Sequence, residues 1–329
     1  MPATLTDVAA RAEVSLATAS RAFNDPDRLA PATRQRVLAA AAELGYETPL
    51  GPATRTIGVV VPDMANAVFA SLLRSIHDQA WHGRHQLMAT NTNEDPSRER
   101  EALDRLAGST NGVILCSPRL PVDQLDEIAT RTPMVVVNGM LEKAPCVLIG
   151  ANDGIRQAVE HLRALGHQHL AYVPGPASSW ADRNRQDALS EHCAAEGLQL
   201  TVVGNQAASV SGGLAAAASV VASGATAVVA YNDLVALGVR AGAQGLGRRC
   251  PQHLSVIGID DLDVSAVSDP GLTSVHVGIA EGGTLAVDLL LEQIDGGARH
   301  DDTVHMGSQL IVRGSTGVPE PAHANSPAG

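Results

Sequence analysis

Aromatic side chains make up only 2% of the 329 residues, so no core can be built on rings; with 45% of the chain hydrophobic, the interior must come from Ala, Val, Leu and Ile. That composition suits helices packed on parallel sheets, whose buried strands read as aliphatic runs. Cysteine is equally sparse. Cys116, Cys146, Cys193 and Cys250 lie far apart and none belongs to a CxxC pair, which argues against a zinc site or a disulfide framework and leaves reduced, buried thiols. No apolar run approaches the roughly 20 residues that a membrane helix needs. The N-terminus has no basic patch followed by an apolar stretch, so a soluble, cytoplasmic chain is expected. Cations are outnumbered, and a net charge of −12 opposes non-specific coating of nucleic acid, which needs clustered Lys and Arg. No strand-like run leads into GxGxxG, the stretch Gly242 to Gly247 has the wrong glycine order for a dinucleotide loop, and GxxxxGK[ST] is missing. No nucleotide cofactor and no catalytic residue is therefore assigned. His77, His82 and His85 cluster without acids at metal spacing and read as a solvated helix face rather than a metal site.

What is present begins with residues 1–46. Thr6 can cap a first helix running to about Ala12, with Val8 and Ala9 facing inward, and Glu13-Val14-Ser15 makes a turn. Ser15 caps a second helix to about Phe23, because its hydroxyl can accept from the free amides of the next turn. Asn24-Asp25-Pro26-Asp27 ends that helix, and Pro31 suits the first turn of a third, which closes at Leu44-Gly45. Val14, Ala19, Phe23, Val37, Leu38 and Leu44 form the expected small core. Residues 1–56 carry six Arg (11, 21, 28, 34, 36, 55) and six acids (Asp7, Glu13, Asp25, Asp27, Glu43, Glu47), so the head is neutral and the acidity lies downstream.

Pro49, Gly51 and Pro52 give residues 47–56 the chemistry of a linker. Beyond it, aliphatic runs alternate with helical stretches: Ile57 to Val61, Gln86 to Thr90, Gly112 to Leu115 and Met134 to Val137, then Leu170 to Val173, Leu200 to Val203, Ala227 to Ala230 and Leu254 to Gly258. Strand, helix, strand at this spacing means parallel sheets with right-handed crossovers. Two such series imply an α/β core of two lobes over residues 57–316, with any ligand beyond the carboxyl ends of the strands. The N-terminal lobe is expected to take residues 57–150 and 279–303, and the C-terminal lobe 151–278 and 304–316. Residues 317–329 are Pro, Ala, Gly, Ser and Asn without periodicity and read as a disordered tail.

Two helices joined by a three-residue turn, with Ala9, Ala10 and Ala12 where they approach, make a helix-turn-helix whose second member can lie in a major groove. Leu16, Ala17, Ser20 and Arg21 are its exposed candidates, with Thr6, Ser15, Thr18 and Asn24 beside them as DNA contacts. Arg21 can bond a guanine edge in bidentate fashion, a contact worth roughly 1–3 kcal/mol of discrimination. The stretch from Leu5 to Asn24, Leu-Thr-Asp-Val-Ala-Ala-Arg-Ala-Glu-Val-Ser-Leu-Ala-Thr-Ala-Ser-Arg-Ala-Phe-Asn, resembles the N-terminal signature of the LacI/GalR family of bacterial transcription regulators. Eight further blocks follow in family order, among them Ile57-Gly58-Val59-Val60-Val61-Pro62-Asp63, His161-Leu162-Arg163-Ala164-Leu165-Gly166-His167, Ala230-Tyr231-Asn232-Asp233 and Ser255-Val256-Ile257-Gly258-Ile259-Asp260-Asp261. The resemblance implies a repressor that binds double-stranded operator DNA as a homodimer. It also implies a core, shaped like a periplasmic binding protein, that senses a small molecule, a sugar or polyol.

Carried over position by position, the resemblance puts Asp63, Phe69, Asn91, Ser117 and Asn138 of one lobe and Trp180, Arg183, Asn232 and Asp260 of the other around that effector. Carboxylates and amides suit adjacent hydroxyls, Arg183 forks onto two oxygens, and Phe69 or Trp180 covers an apolar ring face. Asn232 and Asp260 can equally cap the following helices, and Phe69 can equally be core. Trp81, at helical spacing from His77, reads as packing.

The chain also departs from the family pattern. Only ten residues separate Tyr46 from Ile57, where the family has a longer connection with a short hinge helix that wedges into the minor groove. Proline inside a helix costs about 3 kcal/mol, so Pro49 and Pro52 oppose such a helix and the head is expected to bind DNA alone, more weakly or with the DNA straighter. Asn138 stands where the family often has an acid, and Ala151-Asn152-Asp153 inverts a common order, so the effector is left open. A homodimer follows from the need to read two half-sites, and no C-terminal heptad supports a tetramer. A solute-binding protein without a DNA role, or a regulator impaired at its hinge, is the competing reading. Deleting residues 1–46 separates regulator from solute binder: a regulator loses operator binding in a gel-shift assay and keeps its ligand affinity, whereas operator binding retained by the truncated chain contradicts the assignment of the head.

Overall fold

A computed structural model describes residues 3–24, 29–46, 54–297 and 303–320. The chain divides into a head and a core, each a unit of its own; residues 47–53 lie outside the described residues, and with them the linker prolines.

The head holds α1 (Leu5–Arg11), α2 (Leu16–Asn24) and α3 (Pro31–Leu44). Thr4, rather than the expected Thr6, caps α1. Its hydroxyl accepts from the Asp7 amide at 3.3 Å while the Asp7 carboxylate accepts from the Thr4 amide at 2.8 Å, a reciprocal capping box that satisfies two donors at the helix start. Ser15 caps α2 as expected, accepting from the Thr18 amide at 3.1 Å. Helix α3 stops at Gly45, whose φ of 59° permits the reversal that lets Tyr46 N bond Ala41 O. The core is built from smaller side chains than expected: Val8, Ala9, Ala12, Ala19, Ala22, Val37, Ala40 and Ala41 are buried and Val14 and Phe23 pack partly buried against them, while Leu38 and Leu44 stay 40% and 37% exposed. Val37, Ala40 and Ala41 set the inward stripe of α3, and Leu38 sits a hundred degrees or so around the helix from Val37.

The core's N-terminal lobe runs β1 (Thr56–Val61), α4 (Ala67–His82), β2 (Gln86–Asn91), α5 (Pro96–Ala107), β3 (Gly112–Cys116), α6 (Val122–Ala129), β4 (Met134–Val137) and β5 (Cys146–Ile149). The C-terminal lobe runs α7 (Asn152–Ala164), β6 (His169–Val173), α8 (Trp180–Ala195), β7 (Gln199–Val202), α9 (Val210–Ala222), β8 (Ala227–Ala230), α10 (Asp233–Gly245), β9 (Ser255–Ile259), α11 (Asp263–Val267) and β10 (Thr273–Val277). The chain then returns through α12 (Ile279–Ile294) and β11 (Thr303–Met306) to the first lobe, and β12 (Ser308–Ile311) closes the second. The sheets are β11-β5-β4-β3-β1-β2 and β12-β10-β9-β8-β6-β7, with β10 and β12 antiparallel and β11-β5-β4-β3-β1 parallel throughout.

Three crossings therefore join the lobes, at Gly150, Gly278 and Gly307, the last a few residues beyond the expected 303 because β11 pairs with β5 through Met306. Trp81 is 71% exposed rather than packed, with the His77 ring stacked on it at 6.1 Å. The expected tail is tied in at its first residue: Gly317 N donates to Ser255 Oγ at 3.0 Å, and Gly317 O accepts from His167 Nε2 at 3.0 Å. Residues 321–329 lie outside the described residues.

Helices α9 and α10 meet backbone to backbone. A Cβ on Gly238 would stand 2.1 Å from Val210 O and 2.9 Å from Gly213 Cα, so Gly238→Ala forces the pair apart. The expected cost is about 1–3 kcal/mol, read as a lower urea midpoint; an unchanged midpoint contradicts the close approach.

Candidate DNA-reading helix and effector cleft

On α2, burial of Ala19 and Ala22 against α1 and α3 turns the opposite face outward. Leu16 is 51% exposed, and Ala17 and Arg21 are exposed with it; Thr18 and Ser20 are half-buried. Residues 16, 17, 20 and 21 share this face by helical spacing. Ser15 and Thr18 are partly committed to the cap, since their hydroxyls are 2.8 Å apart and Ser15 already accepts from the Thr18 amide. Thr6 is exposed in the first turn of α1, and the Asn24 side chain lies outside the described residues.

In the core, two cavities lie between the lobes. One, of about 350 Å³, is lined by Ile149, Gly150, Asn152, Trp180, Arg185 and His305; the other, of about 490 Å³, by Arg74, Leu234, Asp260, Asp261, His276 and Ile279, among others. Both are in the size range of small-molecule sites.

Of the nine expected cleft residues, Trp180 lines the first cavity and Asp260 the second. Trp180 opens α8 in the C-terminal lobe yet packs on the apolar cluster of Val60, Leu103 and Leu115 in the other lobe, so one indole spans the cleft. Phe69 is buried among Val59, Val61 and Leu72, which favours its core reading. Asp63 accepts from the Ala65 amide at 2.9 Å, and Asn91 donates to Asn93 Oδ1 at 2.7 Å. Ser117 and Asn138 follow β3 and β4 in the left-handed region, with φ of 47° and 55°. The Asn138 carboxamide accepts from Ile149 N at 2.8 Å and so ties the end of β4 to that of β5. Asn232 is buried and accepts from Val235 N at 2.9 Å, which makes it the cap of α10.

Arg183 lines neither cavity. It is exposed on α8 and reaches only the carbonyls of Ala177 and Ser178, at 3.5 and 3.4 Å. The buried arginine is Arg185, whose Nη1 donates to Tyr231 O at 2.6 Å and Nη2 to Asp260 Oδ1 at 3.0 Å, with its guanidinium 4.8 Å from the centre of the Tyr231 ring. The helical phase held the signal. Ala181, Ala188 and Leu189 mark the inward face of α8; position 185 falls on it, while 183, some 200° away, does not.

The opposite wall holds a second buried arginine that sequence reasoning missed. Arg119 pairs with Glu94 through Nε and donates to Ser117 O from Nη1 at 2.6 Å, with its side chain almost wholly buried. Glu99 accepts from the amides of Arg119 and Leu120 at 3.0 and 2.9 Å, which fixes the loop after β3. Burial pushes the Glu99 carboxyl up. In the other lobe, burial outweighs the pairing with Arg185 and pushes Asp260 up to about 7. Asp233, desolvated in the same way, rises to about 6.

Residues 4–49 match the bacterial regulatory proteins of the lacI family, and residues 159–316 match the periplasmic binding protein-like domain. The HTH-type transcriptional regulator MalR of Streptomyces coelicolor is 33% identical over 338 residues, which cover 96% of this chain and 97% of that one. This chain belongs to the lacI family. Among solved structures, the lac repressor dimer bound to operator and the anti-inducer ONPF aligns with a TM-score of 0.75 at 26% identity, covering 96% of this chain and 100% of that one. The transcriptional regulator CelR in complex with cellobiose aligns with a TM-score of 0.72 at 27% identity, covering 95% and 99%. As a lacI-family member the protein is a DNA-binding transcriptional regulator, with a helix-turn-helix head and a two-lobed α/β core. Among the described residues no helix is long and apolar enough to cross a membrane.

A carboxyl whose folded value lies above its ordinary 3.8 holds its proton longer in the folded than in the unfolded chain. Its contribution to stability is complete below that ordinary value and is lost as pH rises through the folded one. Relative to Asp260→Asn, which cannot titrate there, the wild type is therefore expected to lose folding free energy as pH rises from about 4 toward about 7. Urea unfolding at stepped pH checks this; a difference that stays flat or grows with pH contradicts it.

Proposed function

We propose that this lacI-family regulator is a homodimeric repressor that works in the cytoplasm, whose α2 reads operator base pairs and whose interlobe cleft takes an uncharged sugar or polyol. The observation that carries the effector half is the buried Arg185–Asp260 pair beside Tyr231, set opposite a cleft wall whose own arginine, Arg119, is already paired. Each of these buried cations has a carboxylate partner, so an anionic ligand would compete with Asp260 or Glu94, whereas hydroxyls can bond the remaining lone pairs and N–H groups without displacing either. Cellobiose in CelR is consistent with this chemistry. Trp180 supplies an apolar face for a sugar ring, and Asp63, Asn91, Ser117, Asn138 and Asn232 stand as polar contacts at the strand ends. The action is binding rather than catalysis, and no cofactor enters it.

The DNA half rests on the outward face of α2, with Arg21 as the base-reading side chain and Thr6, Ser15, Leu16, Ala17, Thr18, Ser20 and Asn24 around it. The lac repressor dimer bound to operator is the precedent for a dimer on DNA, and two heads reading paired half-sites fit that arrangement. With Pro49 and Pro52 in a short linker, the head binds without a minor-groove wedge, and the operator is bent little.

Two measurements test this reading. Arg21→Ala is expected to lose about 1–3 kcal/mol of discrimination between operator and scrambled DNA in competition fluorescence anisotropy; undiminished discrimination contradicts Arg21 as the reader. In a thermal-shift screen of sugars and polyols, a ligand at 100 times its Kd adds about 2.7 kcal/mol to stability. At least one compound is expected to stabilise the wild type and to leave Arg185→Ala unshifted; a compound that shifts both alike binds elsewhere.

A further inference from the structure

Asp233 sits at the start of α10, beside the Asn232 cap, and is fully buried. Neither of its oxygens faces a cation; both are spent on the turn that follows β9. Oδ2 accepts from the Leu262 amide at 2.7 Å and from Ser265 Oγ at 2.6 Å, and Oδ1 accepts from Ser274 Oγ at 2.5 Å. Ser274 Oγ in turn accepts from the Asp261 amide at 3.1 Å. The amides of both residues that follow Asp260 are thus anchored to one carboxylate, one directly and one through a hydroxyl.

That turn needs anchoring. Asp260 and Asp261 have φ of 108° and 54°, in the region that side-chain-bearing residues rarely occupy, twice in succession. The strand beside it makes room for the carboxylate. A Cβ on Gly258 would stand 2.1 Å from Asp233 Oδ1 and 3.0 Å from Asp233 Cα, so β9 gives up a side chain at the position where Asp233 enters. The product of this construction is the placement of Asp260, which meets Arg185 in the cleft. Asp261, pointing the other way, pairs with Arg313 and His276.

We infer that Asp233 is a positioning residue of the effector cleft: it holds the Asp260–Asp261–Leu262 turn in its left-handed path and so sets where Asp260 meets Arg185 and the ligand. Its significance for the ligand rests on the effector reading above, while its geometry is testable without any ligand. The N-terminal lobe repeats the device, since Glu99 grips the amides of Arg119 and Leu120 in the loop that begins at Ser117. Binding energy is then not spent on ordering the two walls.

The test uses the full-length chain labelled for carboxyl ¹³C and amide ¹⁵N spectroscopy, with Asp260→Asn identifying the Asp260 resonance. The groups that face Asp260 are Arg185 and Asp233, with Asp261 next to it in the chain. Asp233→Asn removes a charge as well as acceptors, and loss of the Ser265 and Ser274 donors raises the Asp233 carboxyl, so either change lowers the Asp260 midpoint even if nothing moves; amide exchange in the uncharged Ser274→Ala and Ser265→Ala is the deciding readout. Both are mild enough to fold if Asp233→Asn does not. Ser274→Ala is therefore combined with Ser265→Ala, which strips both hydroxyl donors from Asp233. The Asp261 and Leu262 amides are expected to exchange at least about tenfold faster, with Ile257 in β9 unchanged. Unaltered exchange at Asp261 and Leu262 overturns the inference, whatever the Asp260 midpoint does. A turn that responds in this way in a protein stabilised by no sugar or polyol counts against the effector reading alone.

Discussion

The interlobe cleft depends on one buried ion pair. Arg185 and Asp260 are both removed from water, a transfer whose desolvation cost rivals the Coulombic gain unless every remaining donor and lone pair is used. Arg185 meets that condition in part, with a carbonyl, a carboxylate and a ring face from residues that end or follow neighbouring strands, and its remaining N–H groups are the ones a ligand's hydroxyls would use. Much of the C-terminal lobe is arranged around it. Ser179 caps α8 so that its first turns aim Arg185 inward, and Asp182 accepts from Tyr172 and Gly175 to hold that helix on β6. A pair that leaves Asp260 poised near neutrality is an adaptable partner for hydroxyls, because a carboxyl near its midpoint can accept or donate.

The head solves a different problem with little material. Its buried set is six alanines and two valines, so its helices approach closely and the small side chains fill the space between them. Close packing of α1 and α3 on one side of α2 fixes which face of α2 is left outward, and that choice matters more for DNA reading than bulk charge. Six arginines and six acids cancel over positions 1–56, so the proposed role of Arg21 rests on its placement rather than on a field.

The aliphatic runs made β1, β3, β4, β6, β8 and β9 legible, since strands buried on both faces carry an unbroken hydrophobic signal. Strands β11 and β12 hid because they are four residues long, half-exposed and interrupted by His305 and Gln309. Strand β5 is all apolar, Cys146-Val147-Leu148-Ile149 bounded by Pro145 and Gly150, and carries the same kind of signal as the four-residue β4 and β8, but it is missing from the expected strands. In the site, motif order led to Asp260, Asn232 and Trp180, yet it could not tell a cap from a ligand contact at Asn232. It led to Arg183, whereas the phase of α8 turns Arg185 inward. Arg119 and Glu99 carry no local pattern at all; they meet only when β3 brings its following loop beside α5.

The proposed regulation requires a cleft in the core to be coupled to a helix in the head, and coupling between two binding sites is reciprocal. The most direct measurement is the affinity of the full-length protein for a cleft-binding sugar, by calorimetry, with and without saturating operator. Coupling requires sugar affinity to change on operator by the same factor by which the sugar changes operator affinity. A sugar that binds the free and the operator-bound protein equally well would mean that the cleft and the head do not communicate.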